Sequence, residues 1–541
     1  MFTRSLISSL ARPLSTFIFL IRGKGHFYRL TSSLPKTSLR FHTNFNRHYR
    51  CFSQAIVPNP GDNTVKKTGK IGLYLLLVGA LLASIGLYAN DDQSVSVKSL
   101  KPAIFSPVEG MQWVEQCVEQ HPEILWLADS NVRKTEEGLA TLQGAYSEQL
   151  FGQKYIEFDR TIMTIHCLKL ILDGSDKAYL TFTASQPNDA KLSRESFQTL
   201  HLQGQKLLRS KWEGLSELQM AQAMETALVL GDIGKSEKAR ELFQPHGSIR
   251  APDHDDFYGE AIQVILQHQQ LCLSFSRLPS SAKKLLSEVA NLAHYGHITH
   301  LEGGLGMFSK LKESGVASKN PIALSFDLFV HTCDVAGALG HVNNQSSLTY
   351  TEPAHQAMQA MGDAVRVLSN PLKTELDAYN SYLSVRASWL GLDSSDSADR
   401  ILARIGAMLR LFTLEDGVVL RKAIHKLDSS IRNRIAAQLD VQPQDRLSRT
   451  PTYMPAVLVN LSNNPELGKT KEERLSKAIS VGLPFIVQVL ERHKKMLLKN
   501  EIDSNIPLNF NKMAGVAKAS PLSLNGAFYI DQDGSVYLLT E

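Results

Sequence analysis

From Leu215 onward apolar residues recur at intervals of three and four, as Leu215, Leu218, Ala221, Met224 and Leu228, and the run then closes in Gly231-Asp232-Ile233-Gly234-Lys235. That period puts one stripe on one side of a helix, so the stretch has to pack against other helices. A carboxylate at the end of a buried helix is costly without a partner, which calls for a cation or a metal beside Asp232. The glycines free the backbone to turn there, and Lys235 brings a positive charge three residues on.

The same spacing continues downstream. Leu285, Val289 and Leu292 form one stripe, and Ile401, Leu402, Ile405, Met408, Leu409 and Phe412 form another. Residues 195–345 therefore read as a helical domain, interrupted by Gln244-Pro-His-Gly247 and Arg250-Ala-Pro-Asp253, and residues 355–520 as a C-terminal helical region. Within the latter, Ile479 to Leu498 reads as a helix broken at Pro484. Residues 93–190 read as a mixed α/β region, with helices over Val108–Val132 and Glu136–Phe158 and a short strand at Tyr179–Thr183. In residues 521–541 the period changes to two: Phe528-Tyr-Ile530 and Val536-Tyr-Leu538 flank Asp531-Gln-Asp-Gly534, which predicts a β-hairpin. The fold class expected is mainly α.

Residues 1–61 contain no Asp or Glu, and arginines and lysines are spread through them among Ser, Thr, Leu and Phe. This is the composition of a mitochondrial targeting segment, assigned to residues 1–55, with a linker over 56–70. Residues 71–89 carry no charge, and nineteen residues at helical rise span about 28 Å, the thickness of a bilayer core. They read as one transmembrane helix. Lys66, Lys67 and Lys70 precede it and Asp91 and Asp92 follow, so the positive-inside rule orients it. The localisation expected is the mitochondrial inner membrane, single-pass, with the C-terminal domain facing the intermembrane space; a membrane in a bacterial or host context is the alternative. Gly72, Gly79 and Gly86 recur every seven residues, a spacing that would let two such helices pack as a homodimer. The net charge of +5 sits largely in the leader, which argues against nucleic acid as a partner. Five scattered cysteines give no zinc or disulfide framework.

The stretch Gly231-Asp-Ile-Gly-Lys235 resembles the signature of the HD-domain metal-dependent phosphohydrolases, with Gly231 where that family has a histidine. Further pieces follow the order of the HD-GYP type: His201 thirty residues before Gly231, then His254-Asp255-Asp256, then His294-Tyr-Gly-His297-Ile-Thr-His300-Leu-Glu302, then Val330-His-Thr-Cys-Asp334 running on to Leu339. The resemblance implies an HD-like bundle over residues 195–345. It makes Asp232 and Asp334 metal-binding carboxylates, with His201, His254 and His300 as imidazole ligands. His297 is the rival for the His300 role, and His331 either replaces the missing histidine or orients a ligand. Lys235 would contact a substrate phosphate, and Glu302 or Asp255 would orient water.

The implied cofactor is a divalent ion (Mn, Fe, Ni or Zn), the kind of cation such a nitrogen and oxygen set takes. A phosphorylated small molecule, a nucleotide or another phosphate ester, would be hydrolysed. Glu302-Gly-Gly-Leu-Gly306 lacks the Gly-Tyr-Pro of the cyclic-di-GMP phosphodiesterases, so that substrate is not assigned. The alternative from another class is a catalytically inactive, membrane-tethered helical scaffold or interaction protein.

Overall fold

The computed structural model describes residues 16–23, 26–33, 110–128, 144–247, 249, 254–290, 292–441 and 450–539. The expected transmembrane helix at 71–89 and most of the targeting segment at 1–55 lie outside them. Residues 1–95 and 96–541 are two separate units. In the first, β1 (Thr16–Gly23) pairs antiparallel with β2 (His26–Ser33), from Thr16 opposite Ser33 to Gly23 opposite His26. Among the described residues no helix is long and apolar enough to cross a membrane.

The second unit is helical. Its first half contains α1 (Met111–Gln120), α2 (Ile156–Asp173), α3 (Arg194–Leu208), α4 (Glu217–Asp232), α5 (His254–Gln267), α6 (Ser280–Val289), α7 (Tyr295–Thr299) and α8 (Pro321–Gly337). Its second half adds α9 (Glu352–Arg366), α10 (Glu375–Trp389), α11 (Ser397–Met408), α12 (Leu414–His425), α13 (Ser429–Leu439), α14 (Met454–Asn463), α15 (Lys471–Leu498) and α16 (Asn511–Ala519). Local chemistry fixes many of the starts. Ser216 with Gln219, Thr374 with Asp377, Thr413 with Asp416 and Thr470 with Glu473 are reciprocal capping boxes, each satisfying two orphan backbone donors.

The core is organised on α2, which is buried on nearly every side. Such a helix has no solvent face, so its polar residues need partners inside the protein. Helix α8 lies against it so closely that a Cβ on Gly337 would stand 2.4 Å from the Thr164 backbone nitrogen. The stripe of α4 faces inward as its period requires, with Leu215, Ala221, Met224 and Leu228 all buried. Helix α4 ends at Asp232, and one 3-10 turn, Ile233–Lys235, follows.

Four sequence expectations are corrected. The helix expected over Glu136–Phe158 is, where described, a short helix at Tyr146–Phe151 ended by left-handed Gly152, with α2 starting at Ile156. The strand expected at Tyr179–Thr183 is helix, Asp176–Phe182, capped by the Ser175 hydroxyl on the Ala178 backbone nitrogen. The region called mixed α/β is thus helical wherever it is described: β-rich composition yields to the cap and to burial of Ala178 and Phe182 against the core. The helix expected over Val108–Val132 is shorter, with α1 followed by a 3-10 turn at Pro122–Leu127. Nor does Pro484 break α15, which runs through it. Gly482 sits so close to Leu458 and Leu461 of α14 that packing holds the helix in line despite the missing hydrogen bond. The C-terminal hairpin forms as expected: β3 (Phe528–Ile530) pairs with β4 (Val536–Leu538), and Gly534 supplies the left-handed residue of the turn at φ +80°.

Candidate functional site

The polar groups of α2 and the end of α4 meet in a buried charge cluster. Lys235 Nζ lies 2.6 Å from Asp232 Oδ1 and 3.0 Å from Glu157 Oε2. Thr161, one turn after Glu157 on α2, donates its hydroxyl to Asp232 Oδ2 at 2.5 Å. Arg160 donates to the other Glu157 oxygen at 3.0 Å. Burial alone would lower the Lys235 pKa, but Asp232 and Glu157, with a smaller pull from Asp334 on α8, raise it above the usual lysine value. Lys235 is therefore a fixed cation, its side chain 8 % exposed. It ties the end of α4 to α2.

A second cluster forms where the two halves of the unit meet. Glu302 accepts a hydrogen bond from the Met454 backbone nitrogen at 2.7 Å and pairs through its other oxygen with His297 Nδ1. Arg404 of α11 donates to the carbonyls of Leu301, Glu302 and Leu439 at 2.9, 2.8 and 2.6 Å. The bonds to the Leu301 and Glu302 carbonyls brace Leu301 in its left-handed conformation, φ +48°. Burial, and after it Arg410 and Arg386, push the His300 imidazole well below the usual histidine range, with only partial opposition from a hydrogen bond at the Ala407 backbone. His300 is thus neutral.

The remaining candidates are dispersed. His201 Nδ1 meets the Ile171 carbonyl at 3.0 Å, near the end of α2. His254 begins α5, and its side chain is outside the described residues. The His331 ring lies 5.2 Å from that of Tyr295. Tyr295 donates its hydroxyl to Asp327 at 2.6 Å, and burial raises that carboxyl to about 7.

The structure therefore brings Asp232 and Lys235 into contact, and separately His297 and Glu302, while Asp334 adds a weaker electrostatic pull on Lys235. It takes His201 and His300 to other partners. A divalent ion on Asp232 does not fit this arrangement, because an ammonium stands against one carboxylate oxygen and a hydroxyl donates to the other. Among the described residues no group of three or more His, Cys, Asp or Glu side chains is set to hold a metal ion.

Sequence reasoning missed Glu157, Arg160 and Thr161. Their signal is a polar stripe, Glu157, Arg160, Thr161 and Thr164 at helical spacing, within the apolar run of α2. It also missed Glu225, whose carboxylate is held below its usual pKa by Lys169 and His121 against the opposing effect of burial, with His121 Nε2 at 3.1 Å and Lys169 Nζ at 3.7 Å.

The fold and its clusters define a helical protein whose buried polar groups find partners inside it, carboxylates for Lys235 and backbone carbonyls for Arg404. The chain belongs to a family of unknown function, DUF6829, whose model matches residues 118–513. Neither the curated proteins nor the solved structures contain a match to it.

Proposed function

We propose that the helical unit is a binding scaffold rather than a reaction centre, tethered to a membrane through residues 71–89, with the Asp232–Lys235–Glu157 cluster as its internal cross-link. One observation carries the reading: Lys235 bridges two carboxylates from different elements while Thr161 occupies the remaining Asp232 oxygen. Charges satisfied in this way supply geometry, and their removal is felt as lost stability.

The test is metal content. Untagged full-length protein is assayed for bound transition metals beside Asp232→Asn and Asp334→Asn. The scaffold reading expects no stoichiometric metal in any of them. Stoichiometric metal in the native chain that both variants lose would overturn it.

A second reading is a metal-dependent phosphohydrolase acting on a nucleotide or other phosphate ester. It is favoured by the electrostatic pull that Asp232 and, more weakly, Asp334, the two carboxylates the HD resemblance selects, both exert on Lys235. It requires Lys235 to leave Asp232. The metal assay separates the two readings, since the hydrolase needs an ion that both substitutions release.

The tether has its own test. In mitochondria with ruptured outer membranes, added protease is expected to digest the helical unit, and protection after rupture would overturn an orientation toward the intermembrane space.

A further inference from the structure

Helix α12 carries a largely exposed stripe. Leu414, Val418, Arg421 and His425 follow one another at spacings of four, three and four, which places them on one face, with Lys422 beside them. Leu414 and Val418 are 60 % and 54 % exposed, large values for apolar side chains on an ordered helix. The stripe runs from apolar at the N-terminal end to cationic at the C-terminal end.

A concave wall faces it. The turn after α10 brings Leu390 and Gly391 against the helix, and Gly417 permits this approach, since a Cβ there would stand 2.0 Å from the Leu390 carbonyl oxygen. Between turn and helix lies a groove of about 390 Å³, at the small end of ligand sites. Its floor is Leu390, Gly391, Gly417 and Val418, and Lys422, His425 and Lys426 stand at its cationic end. The wall is fixed from behind. Arg386 is buried between Trp389 and Phe412, 5.0 and 4.6 Å from the two rings, and donates to the Leu411 carbonyl at 2.8 Å. A groove so held binds without first being ordered.

The cations point to the occupant. Arg421 is already engaged by Asp399 through two hydrogen bonds, at 2.6 and 3.0 Å, whereas Lys422 and Lys426 make no ion pair among the described residues. We propose that this groove docks an amphipathic helix of a partner protein, whose apolar residues cover Leu414 and Val418 and whose acidic residues, one to two turns further on, meet Lys422 and Lys426. Helix-in-groove recognition reads its ligand in this way, through anchors on one stripe and charge at the rim. Nucleic acid offers nothing apolar to Leu414 and Val418. The proposal deepens the scaffold reading by naming its docking surface.

The test uses the full chain and a labelled peptide of Leu, Ala and Glu, with leucines on one helical stripe in its first half and glutamates on that stripe in its second. Fluorescence anisotropy is expected to show binding that weakens at least about tenfold, 1.4 kcal/mol, for Val418→Asp, for Lys422→Glu with Lys426→Glu, and for a scrambled peptide. Leu414→Asp on the same stripe is the second apolar variant, should Val418→Asp not fold. Equal binding of native and scrambled peptides, or binding indifferent to these substitutions, overturns the proposal. So does loss of sedimentation with phosphatidylserine vesicles in the same variants without any effect on peptide binding, which assigns the face to a membrane. Stoichiometric metal at Asp232 would sink the scaffold reading and leave the peptide titration intact. A failed titration would leave the metal result intact.

Discussion

Lys235 Nζ stands 2.6 Å from Asp232 Oδ1, and the same ammonium reaches Glu157 of α2 at 3.0 Å, so one side chain closes the end of α4 onto the central helix. Desolvating these ions is expensive, and their attraction compensates only while every partner is present. That asymmetry makes the cluster testable.

Lys235→Met removes the shared cation and leaves Asp232 and Glu157 facing each other in the interior. The expected loss is about 3–5 kcal/mol in urea unfolding. Lys235→Met combined with Asp232→Leu should recover a good part of it, because no lone charge then remains at the end of α4. A single-variant loss under about 1 kcal/mol would refute the cross-link.

Two glycines should respond in opposite directions. Gly337→Ala drives a Cβ against the Thr164 backbone, which cannot yield as a side-chain tip would, and should cost at least about 1–3 kcal/mol. Gly231 lies inside α4 with nothing within 4 Å of its Cβ position. Gly231→Ala should therefore stabilise by about 0.5–1 kcal/mol, through the lower entropy of the unfolded chain. Thermal melting of the two variants checks both signs.

Stability should depend on pH with two opposed contributions. Burial raises the carboxyls of Asp159, to about 6, and of Asp327, to about 7. Between the unfolded value near 4 and these values the native state holds more protons, so these groups make stability fall as pH rises through that window. His300, depressed in the native state, acts the other way: the unfolded chain takes up its proton first, and stability falls as pH drops below about 6.5. Asp327→Asn keeps an acceptor for Tyr295 and cannot ionise. It should remove part of the loss seen between about pH 4 and 7, measured as urea midpoints across that range.

Arg404→Met would leave the carbonyls of Leu301, Glu302 and Leu439 without their donor. Each orphaned acceptor costs about 1–3 kcal/mol, so this substitution should be among the most damaging in the second half, and Arg404→Lys should rescue it only in part, since a lysine lacks the planar fork. Denaturant unfolding ranks the three proteins.

Local and periodic features were legible in the chain. The hairpin at Phe528–Leu538 follows from alternation around a glycine turn, and its Tyr529 and Tyr537 rings stack at 5.2 Å. The stripes of α4, α6 and α11 follow from spacing, and the end of α4 falls at the Gly-Asp-Ile-Gly stretch where the period fails. Where the reading failed, a cap or a neighbour outweighed composition: Ser175 for the helix at Asp176–Phe182, and Leu458 and Leu461 for the continuity of α15 through Pro484.

What the sequence determined by itself was the helical character of residues 195–345 and 355–520, where the hairpin turns, and that Asp232 ends a buried helix in need of a positive partner. Backbone propensity and side-chain period act over a few residues, so one chain in order contains them. Only the tertiary structure decided that the partner is Lys235 shared with Glu157, and that Arg404 serves the carbonyls of Leu301 and Glu302 from about a hundred residues away. A buried charge selects whichever opposite group the packing of distant helices delivers, and that choice is fixed only when water has been excluded and the helices have closed.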